Sequence, residues 1–517
     1  MLNFDRRRFI AATAGMSGLS LAAFDVQAQT PKRGGVLRVS VDQAVSKLNP
    51  LLTRVNPEYM VSELLYSALT RLGVDMRVEP DLAASWTSSA DLTQWTFILR
   101  KGVKFHDGSV MTARDVVATF EAILDAKTAS PARNNVGPIT KVTAKDDNTV
   151  VFSLSAPFAD LPVTLAYTNA KIIPASVVKS GITVLDRSAI GTGPFKLVSF
   201  EGDRKIVVAR NDSYYDQARP YLDRIEIVVY PDSTAEGSAL ISGDTDLIST
   251  LPPTEFARLK SAKGVKALRT PSGQFCNVNF GCDQKPFNDV RVRQALALTI
   301  DRNAMVEYVT EGLGTPGNDT PLNPAYRYYA DQKLKKPDTT KAKALLAAAG
   351  YPNGLDATLI ASDRPAVRAQ MAVALRELAK PAGFRIKVET MPHATYLDQV
   401  WKKGSFYIGF YNMQATADAI FALLYTSDSA WNETRWNNAA FDKVVYEARA
   451  TIDEKKRRTL YAEAQRLMHV DIPSIIPVFF DLLAAQRDWV QGYQLHPRGA
   501  VFRLDFVSLG ANAPKRA

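Results

Sequence analysis

The segment Trp95-Thr-Phe-Ile-Leu-Arg-Lys-Gly-Val-Lys-Phe-His-Asp-Gly108, followed closely by Thr112-Ala-Arg-Asp-Val116, carries three local structural signals. Its first six residues are rich in aromatic and β-branched side chains, which predicts a strand. The Asp-Gly pair at its end is typical of a tight turn. Thr112, with Asp115 three residues later, resembles a capping box, so a helix is expected to begin there and run to about Ala126. A strand, a turn and a helix therefore follow one another in one short stretch.

The first half of the chain around this segment is rich in strands. Residues Val36 to Val41 alternate like a strand, and a helix is expected to open at Asn56-Pro57 because proline is favoured at the first helical position. Two hairpins are predicted, from Lys141 to Ser155 and from Phe195 to Arg210, each with Gly, Asn or Asp at its turn.

The second half alternates long helical patterns with single strands. Helices are predicted at Asp289 to Glu311, Thr339 to Ala349, Pro365 to Lys380, Phe441 to Ala450 and Asp453 to Val470. Strands are predicted at Leu355 to Ala361, Phe384 to Thr390, Ser405 to Tyr411 and Ser474 to Phe480. Such alternation is typical of an α/β fold.

The first 28 residues resemble an export signal. Asp5-Arg6-Arg7-Arg8-Phe9-Ile10 precedes a weakly apolar run from Ala11 to Phe24, and Val26-Gln27-Ala28 is typical of a cleavage site. The adjacent arginines resemble the twin-arginine class of signals, and an ordinary Sec signal with a basic head is the alternative. The apolar run is shorter than the roughly 20 residues that a membrane span needs, so we expect a cleaved signal and a periplasmic protein.

The composition is that of an ordinary globular protein with more than one core. The chain has 517 residues, 46% of them hydrophobic, and a formal net charge of +10. The basic residues are spread along the chain, and the densest run, Lys455 to Arg458, lies on a predicted amphipathic helix, so no nucleic-acid partner is expected. The two cysteines, Cys276 and Cys282, are too far apart along one strand to form a disulfide and would bond only across a turn, so two buried thiols are expected.

Motifs that resemble catalytic ones fail on their context. Gly312-Leu-Gly-Thr-Pro-Gly317 has nucleotide-binding spacing but follows a helix, and Pro316 interrupts the helix start that phosphate binding requires. Ser176-Val-Val-Lys179 lacks the other motifs of penicillin-interacting enzymes. The four histidines are far apart in sequence, so neither a metal site nor a cofactor is predicted.

A series of segments, in order, resembles family 5 of the bacterial extracellular solute-binding proteins, which serve ABC importers of dipeptides, oligopeptides and nickel. The resemblance spans about residues 34 to 500. Besides the segment quoted first, it is carried by Leu82-Ala-Ala-Ser-Trp86, Gly191-Thr-Gly-Pro-Phe195, Asn211-Asp-Ser-Tyr-Tyr215, Pro286-Phe-Asn-Asp289 with Ile300-Asp-Arg302, Lys341 to Tyr351 and Phe441-Asp442.

The resemblance implies an α/β, two-lobed periplasmic-binding-protein-like fold with an extra subdomain in the first lobe. Lobe 1 is expected at 29–270 with the accessory subdomain at about 82–190, lobe 2 at 271–485, and a C-terminal segment, 486–517, that returns to lobe 1. It also implies a monomer that captures a short peptide or other small molecule between its lobes and delivers it to an inner-membrane ABC permease.

The resemblance places ligand contacts in the cleft between the lobes, at eight positions: Phe275, Asn277, Phe410, Tyr411, Asn412, Met413, Asp418 and Trp431. Peptide-binding relatives have an aspartate, which pairs with the peptide ammonium, where this chain has Met413. A thioether cannot form that ion pair. Either Asp418 does so from another position, or the ligand is not an ordinary free-amine peptide. Asp418 is equally well interpreted as an exposed cap of a helix that begins near Ala417.

The alternative function is a twin-arginine-exported enzyme that is hydrolytic or depends on a cofactor. The sequence shows no assembled set of nucleophile, base or metal ligands, which favours binding over catalysis. The alternative predicts bound metal, flavin or haem in the purified protein.

The export route is tested by changing Arg6, Arg7 and Arg8 to lysine. The twin-arginine interpretation predicts that this variant accumulates as folded precursor in the cytoplasm, because that pathway reads the arginine pair. Cell fractionation followed by immunoblotting measures this, and normal export of the variant would indicate the Sec route.

Overall fold

The computed structural model describes residues 31–516, so the proposed signal peptide lies outside the described residues. Twenty strands are described: β1 (Val36–Val41), β2 (Thr70–Leu72), β3 (Val78–Pro80), β4 (Ala83–Ser88), β5 (Gln94–Leu99), β6 (Ile139–Asp146), β7 (Thr149–Leu154), β8 (Phe195–Glu201), β9 (Lys205–Arg210), β10 (Arg224–Val229), β11 (Leu247–Ile248), β12 (Val265–Phe280), β13 (Gly314–Pro316), β14 (Leu355–Ser362), β15 (Phe384–Met391), β16 (Phe406–Tyr411), β17 (Ser474–Ile475), β18 (Val478–Arg487), β19 (Val490–Gln491) and β20 (Ser508–Leu509).

Fourteen α-helices are described in the same range: α1 (Asn56–Leu65), α2 (Ala113–Leu124), α3 (Leu161–Thr164), α4 (Ala175–Ser180), α5 (Ser233–Ser242), α6 (Pro253–Lys260), α7 (Val290–Ala297), α8 (Arg302–Thr310), α9 (Thr339–Ala348), α10 (Val367–Ala379), α11 (His393–Gln399), α12 (Ala417–Leu424), α13 (Ala439–Arg449) and α14 (Glu454–Asp471). None of the helices within residues 31–516 combines the length and apolar character needed to cross a bilayer.

The segment quoted first folds as its sequence predicts. β5 pairs with β7 in a four-stranded sheet, β4-β5-β7-β6, and α2 begins with the capping box, in which the Thr112 amide donates to Asp115 at 2.7 Å. His106 lies at the turn, where its amide donates to the Gly191 carbonyl at 2.8 Å and its Nε2 lies 3.2 Å from the Gly193 carbonyl. Burial lowers the pKa of His106 to about 4, so its ring is a neutral structural group.

Gly191 has a steric reason to be glycine. A Cβ at this position would clash with the Leu65 carbonyl at the end of α1. The Gly-Thr-Gly-Pro-Phe segment is therefore a packing feature that fixes α1 against the turn at His106.

A single large sheet runs through both lobes. Its strands follow the order β15-β14-β16-β12-β18-β11-β1-β10-β9-β8, with β13 added on β18 and β17 on β12. β12 pairs with β18 from Val265 to Phe275, and its last six residues pair with β16. The register shifts between Pro271 and Gln274, which marks a bulge at the crossing from one lobe to the other.

Two large apolar clusters lie on either side of this crossing. The first contains buried residues of β1, α1, α2 and the four-stranded sheet, together with Val490, Phe502, Leu504, Val507 and Leu509 near the C-terminus. The second contains β14, β15, β16, α7 and α10. A third cluster joins Leu72 and Met76 to Phe275, Met413 and α12.

The structure differs from the sequence predictions at two elements. The pattern from Asp289 to Glu311 forms two helices, α7 and α8, because Asp301 caps a new helix by accepting hydrogen bonds from the Asn303 and Ala304 amides at 3.0 and 3.1 Å. The strand predicted from Ser474 to Phe480 is broken at Ile476-Pro477, since proline has no amide to donate.

A buried charge cluster connects the four-stranded sheet side of the molecule to α13 and α14. Arg457 Nη2 lies 2.7 Å from Asp160 Oδ1, with both side chains about 95% buried, and the Arg449 guanidinium Nε donates to Asp418 Oδ1 at 3.0 Å. The Ala159 amide donates to the Arg449 carbonyl at 2.9 Å. Two acids and two arginines thus balance one another at a second contact, away from the β12–β18 crossing.

Removing one charge from this cluster is expected to destabilise the fold. Asp160→Asn leaves the buried Arg457 without its ionic partner, which should lower the free energy of unfolding by about 3 kcal/mol. Urea denaturation monitored by circular dichroism measures the change.

The matched control is Asp356→Asn, because Asp356 pairs with Arg385 on the surface and its side chain is 77% exposed. That variant should shift stability by less than about 1 kcal/mol. Equal effects of the two substitutions would contradict a special role for the buried pair.

Candidate ligand-binding site

A cavity with a volume of about 490 Å³ lies at the β12–β18 crossing. Its walls come from both sides of the crossing: Asn56, Ser249 to Thr254, Leu495 and Gly499 on one side, Val309 to Glu311, Leu313, Pro365, Val367, Gln370 and Phe410 on the other, and Gln274 and Phe480 to Leu483 between them. A cavity of this size accommodates a small solute.

The cavity walls are mainly apolar, with a few polar groups. Phe410 and Phe480 face one another with ring centroids 6.1 Å apart. The side chain of Gln274 is oriented by a hydrogen bond, in which its Nε2 donates to Asn412 Oδ1 at 2.6 Å. None of the described residues that line the cavity is lysine, arginine or histidine, whereas Glu311 and Asp481 contribute acidic side chains. The site therefore offers apolar surface, hydrogen-bonding groups and negative charge.

The structure brings one of the eight predicted contact residues, Phe410, into the cavity wall. Asn412 is exposed and does not line the cavity, but its Oδ1 accepts a hydrogen bond from Gln274, which does. Trp431 is 43% exposed and packs edge-on against Trp401, with ring centroids 5.1 Å apart, outside the cavity wall. The assignment of these residues as ligand contacts stays a prediction.

Phe275, Asn277 and Tyr411 are buried beside the cavity. Tyr411 Oη donates to Glu433 Oε1 at 2.7 Å, Asn279 donates to the other Glu433 oxygen, and Asn277 donates to Asn279 at 2.6 Å. These side chains form a polar network beneath the strand that carries Phe410. Burial raises the pKa of Glu433 to about 7.

Met413 packs on the bulge in β12, beside Gly273. It is 3% exposed, and a Cβ at Gly273 would clash with Tyr326 and approach Met413 Cγ. The Gln414 amide donates to Tyr326 Oη at 3.0 Å, which holds this loop in place. The Met413 side chain therefore fills apolar space over the bulge.

Asp418 lies in the buried charge cluster, outside the cavity wall. The interpretation as an exposed cap is wrong, because Asp418 is 4% exposed and the cap of α12 is Thr416, which accepts from the Ala419 amide at 3.0 Å. Its carboxylate is already paired with Arg449, and burial raises its pKa to about 6. A role for Asp418 in charge preference stays untested.

Sequence reasoning missed most of the cavity. Asn56, the loop from Ser249 to Thr254, Glu311 and Asp481 were not among the predicted contacts. Asp481 could have been found from the sequence, because it is the only acid in the apolar run Val478 to Ala485. A charged residue inside such a strand requires a partner or a function.

The described residues show no assembled metal site. Residues 31–516 contain no cluster of three or more histidine, cysteine, aspartate or glutamate side chains arranged to hold a metal ion. Cys276 is buried and Cys282 partly buried, and neither forms a disulfide. Burial raises the pKa of the Cys282 thiol to about 11 and that of Cys276 to about 12, so both resist ionisation.

A two-lobed α/β chain with a solute-sized cavity at the strands that join its lobes has the architecture of a solute-binding protein. Residues 77–434 match the bacterial extracellular solute-binding proteins, family 5 Middle, and the chain belongs to that family. It is a substrate-binding protein of an ABC importer that captures a peptide-like or other small solute and delivers it to the membrane permease.

Individual relatives bind different ligands. The chain is 29% identical to the dipeptide-binding protein of Escherichia coli K12, covering 93% of this chain and 96% of the relative. It is 31% identical to heme-binding protein A of Haemophilus influenzae, covering 82% of each. The structure of AgaA from A. tumefaciens R10 in complex with agropinic acid is 27% identical, with a TM-score of 0.75 over 92% of this chain and 99% of that one.

Glu433 makes the stability of the fold depend on pH. The folded protein holds the Glu433 proton more tightly than the unfolded chain does, so this group contributes stability below about pH 4.5 and loses it as pH rises through about 7. Glu433→Gln, which cannot ionise, should therefore reduce the loss of unfolding free energy between about pH 5 and 8. Urea titrations at the two pH values measure this.

The control is Glu447→Gln, because Glu447 is a half-exposed partner of Lys456. The free energy of unfolding of Glu447→Gln should change with pH, between about pH 5 and 8, as that of the parent does. An unchanged pH dependence in Glu433→Gln would show that the carboxylate is not held protonated.

Proposed function

We propose that the cavity at the β12–β18 crossing is the solute site and that the two lobes close over it. The observation that carries the proposal is the origin of the walls: residues before β12 and residues after it line one cavity, with the crossing strands as its floor. A rotation of one lobe against the other changes the distance between these walls, so a ligand that contacts both favours the closed arrangement.

The lobe boundaries proposed from the sequence are supported by the packing. Lobe 1 (29–270) and the returning segment (486–517) share the first apolar cluster, and lobe 2 (271–485) holds the second. The four-stranded sheet lies within the accessory subdomain at about 82–190. The boundary at residue 271 coincides with the bulge in β12.

The compartment and partners follow from the family and the N-terminal sequence. Family members are transport binding proteins that work with an ABC permease, outside the cytoplasm. For this chain we propose periplasmic location, export by a cleaved twin-arginine-type signal within residues 1–28, action as a monomer, and binding without catalysis or nucleic acid.

The ligand is a small solute of a class not fixed by the family, because relatives bind a dipeptide, heme or agropinic acid. The family resemblance implies that Met413 stands where peptide-binding relatives have a carboxylate, and Met413 itself is a buried, uncharged side chain. An ordinary free-amine peptide is therefore expected to depend on an acid elsewhere in the cavity.

The proposal is tested by a thermal-shift screen of the purified protein against dipeptides, opines, glycosides and metal chelates, followed by small-angle scattering with each hit. A ligand at one hundred times its Kd stabilises the folded state by about 2.7 kcal/mol, and lobe closure should reduce the radius of gyration. Hits that raise the melting temperature without compaction would contradict closure.

A cavity-filling variant locates the binding site. Leu495→Trp adds volume inside the cavity wall and should lower the affinity of every hit at least tenfold, or about 1.4 kcal/mol. Val198→Trp makes the same kind of change at a 59% exposed position and should leave affinity unchanged. Unaltered binding by Leu495→Trp would place the site elsewhere.

A further inference from the structure

Asp481 is an acid at the floor of the cavity with one oxygen unpartnered. It lies on β18 opposite Pro271, at the start of the bulge, and lines the cavity. Its side chain is 1% exposed. Oδ2 accepts a hydrogen bond from Arg269 Nε, and Oδ1 has no hydrogen-bond partner among the described residues. A buried carboxylate oxygen without a donor costs free energy, so the cavity floor holds an acceptor with free capacity.

Other acids surround the same space. Glu311 stands exposed at the cavity rim. A small recess that shares Asn56, Ser249 and Thr250 with the cavity is lined by Asp42 and Glu236, and within the described residues it too has no basic lining residue. Glu236 is 1% exposed, and burial raises its pKa to about 7. Glu236 is therefore partly neutral near pH 7, and the acidic character of the lining comes from Asp42, Glu311 and Asp481, in contrast to the positive net charge of the whole chain.

Two arginines near the cavity do not reverse this charge. The Arg269 guanidinium is already paired with Asp481, and its Nη2 lies 3.4 Å from the Gly314 carbonyl. The Arg269 side chain is also 40% exposed, so solvent screens its charge. Arg368 lies behind the wall, 5.8 Å from the centre of the Phe410 ring, and is not a lining residue. It acts electrostatically on Glu433 in the network beneath the strand.

We propose that the cavity selects cationic ligands, in which a protonated amine or guanidinium donates to Asp481 while an apolar body packs on Phe410 and Phe480. The proposal rests on the proposed function and names its ligand class. Asp481 would then supply, from the hinge strand, a carboxylate that the loop carrying Met413 does not offer. A cation in this wall gains charge-assisted hydrogen bonds, whereas a carboxylate ligand meets like charge.

The test uses tryptamine, phenethylamine and octylamine, each compared with its N-acetyl derivative and with the carboxylate of matched length: indole-3-propionate, 3-phenylpropionate and nonanoate. Binding to the full exported protein is measured by calorimetry. Each amine should bind at least tenfold more tightly than its neutral counterpart, and the carboxylates should bind weakest. Tighter binding by the neutral or anionic compounds would overturn the proposal.

Three variants test whether the preference for amines depends on Asp481. Asp481→Asn should lower amine affinity tenfold or more and change the affinity of the N-acetyl compounds less than twofold. Arg269→Gln removes the cation that competes for Asp481 but also a group that lowers the Asp481 pKa, so this variant is compared with the parent at about pH 8.5, where the carboxyl is more fully ionised and the amines keep their charge. Its amine affinity should then exceed that of the parent, a gain that a merely structural ion pair would not give. Asp356→Asn removes one negative charge at an exposed pair far along the chain and should have no effect.

Amine affinity that is unchanged in Asp481→Asn overturns the proposal, and if that variant does not fold, a failure of Arg269→Gln to raise amine affinity overturns it. A failure of charge selection can be distinguished from a failure of the proposed function. If none of the nine compounds binds while the solute screen yields hits sensitive to Leu495→Trp, selection for cations fails and solute binding stands. If neither experiment yields binding, both fail.

Discussion

The hydrogen-bonded pairing of β12 with β18 is the interaction on which the arrangement of the molecule depends. The ladder begins at Val265 with Arg487 and ends at Phe275 with Phe479, so it connects the parts of the single large sheet that lie in the two lobes. Because backbone pairing fixes register, it also fixes which side chains meet at the crossing. Gln274, Phe480 and Asp481 lie at the floor of the cavity for this reason, and their spacing follows from the bulge.

The buried charges are tolerated because most of them have partners. Asp160 and Asp418 are matched by Arg457 and Arg449, and the Glu433 carboxyl receives hydrogen bonds from Tyr411 and Asn279. Desolvation nevertheless raises the pKa of Asp418 and Glu433, since hydrogen bonds offset burial only in part. Asp160 and Asp481 each keep one carboxylate oxygen without a donor among the described residues, and of these two acids Asp481 lines the cavity.

Local signals in the sequence predicted most of the fold. The capping box at Thr112, the hairpin from Phe195 to Arg210 and the helix beginning near Ala417 depend on neighbouring residues, and the structure confirms all three. The break between α7 and α8 was missed because apolar spacing continues across Asp301. The cap itself is a local hydrogen bond that the periodicity conceals.

The site was harder to predict, because its contacts are long-range. Gln274 bonds to Asn412, 138 positions away, and Asp481 pairs with Arg269, 212 positions away. No spacing rule links such residues before the sheet order is known. Phe410 was predicted through the family resemblance, whereas the loop from Ser249 to Thr254 reaches the cavity only because β11 lies beside β18.

The charge cluster at Asp160 and Arg457 has a mechanical consequence. It joins residue 160, which precedes β12, to residue 457, which follows it, at a place away from the crossing strands. A rotation of one lobe against the other must therefore either break this buried ion pair or leave the distance between the two side chains unchanged. Breaking it would leave a buried charge unpaired, so the ion pair favours motions that pivot close to it.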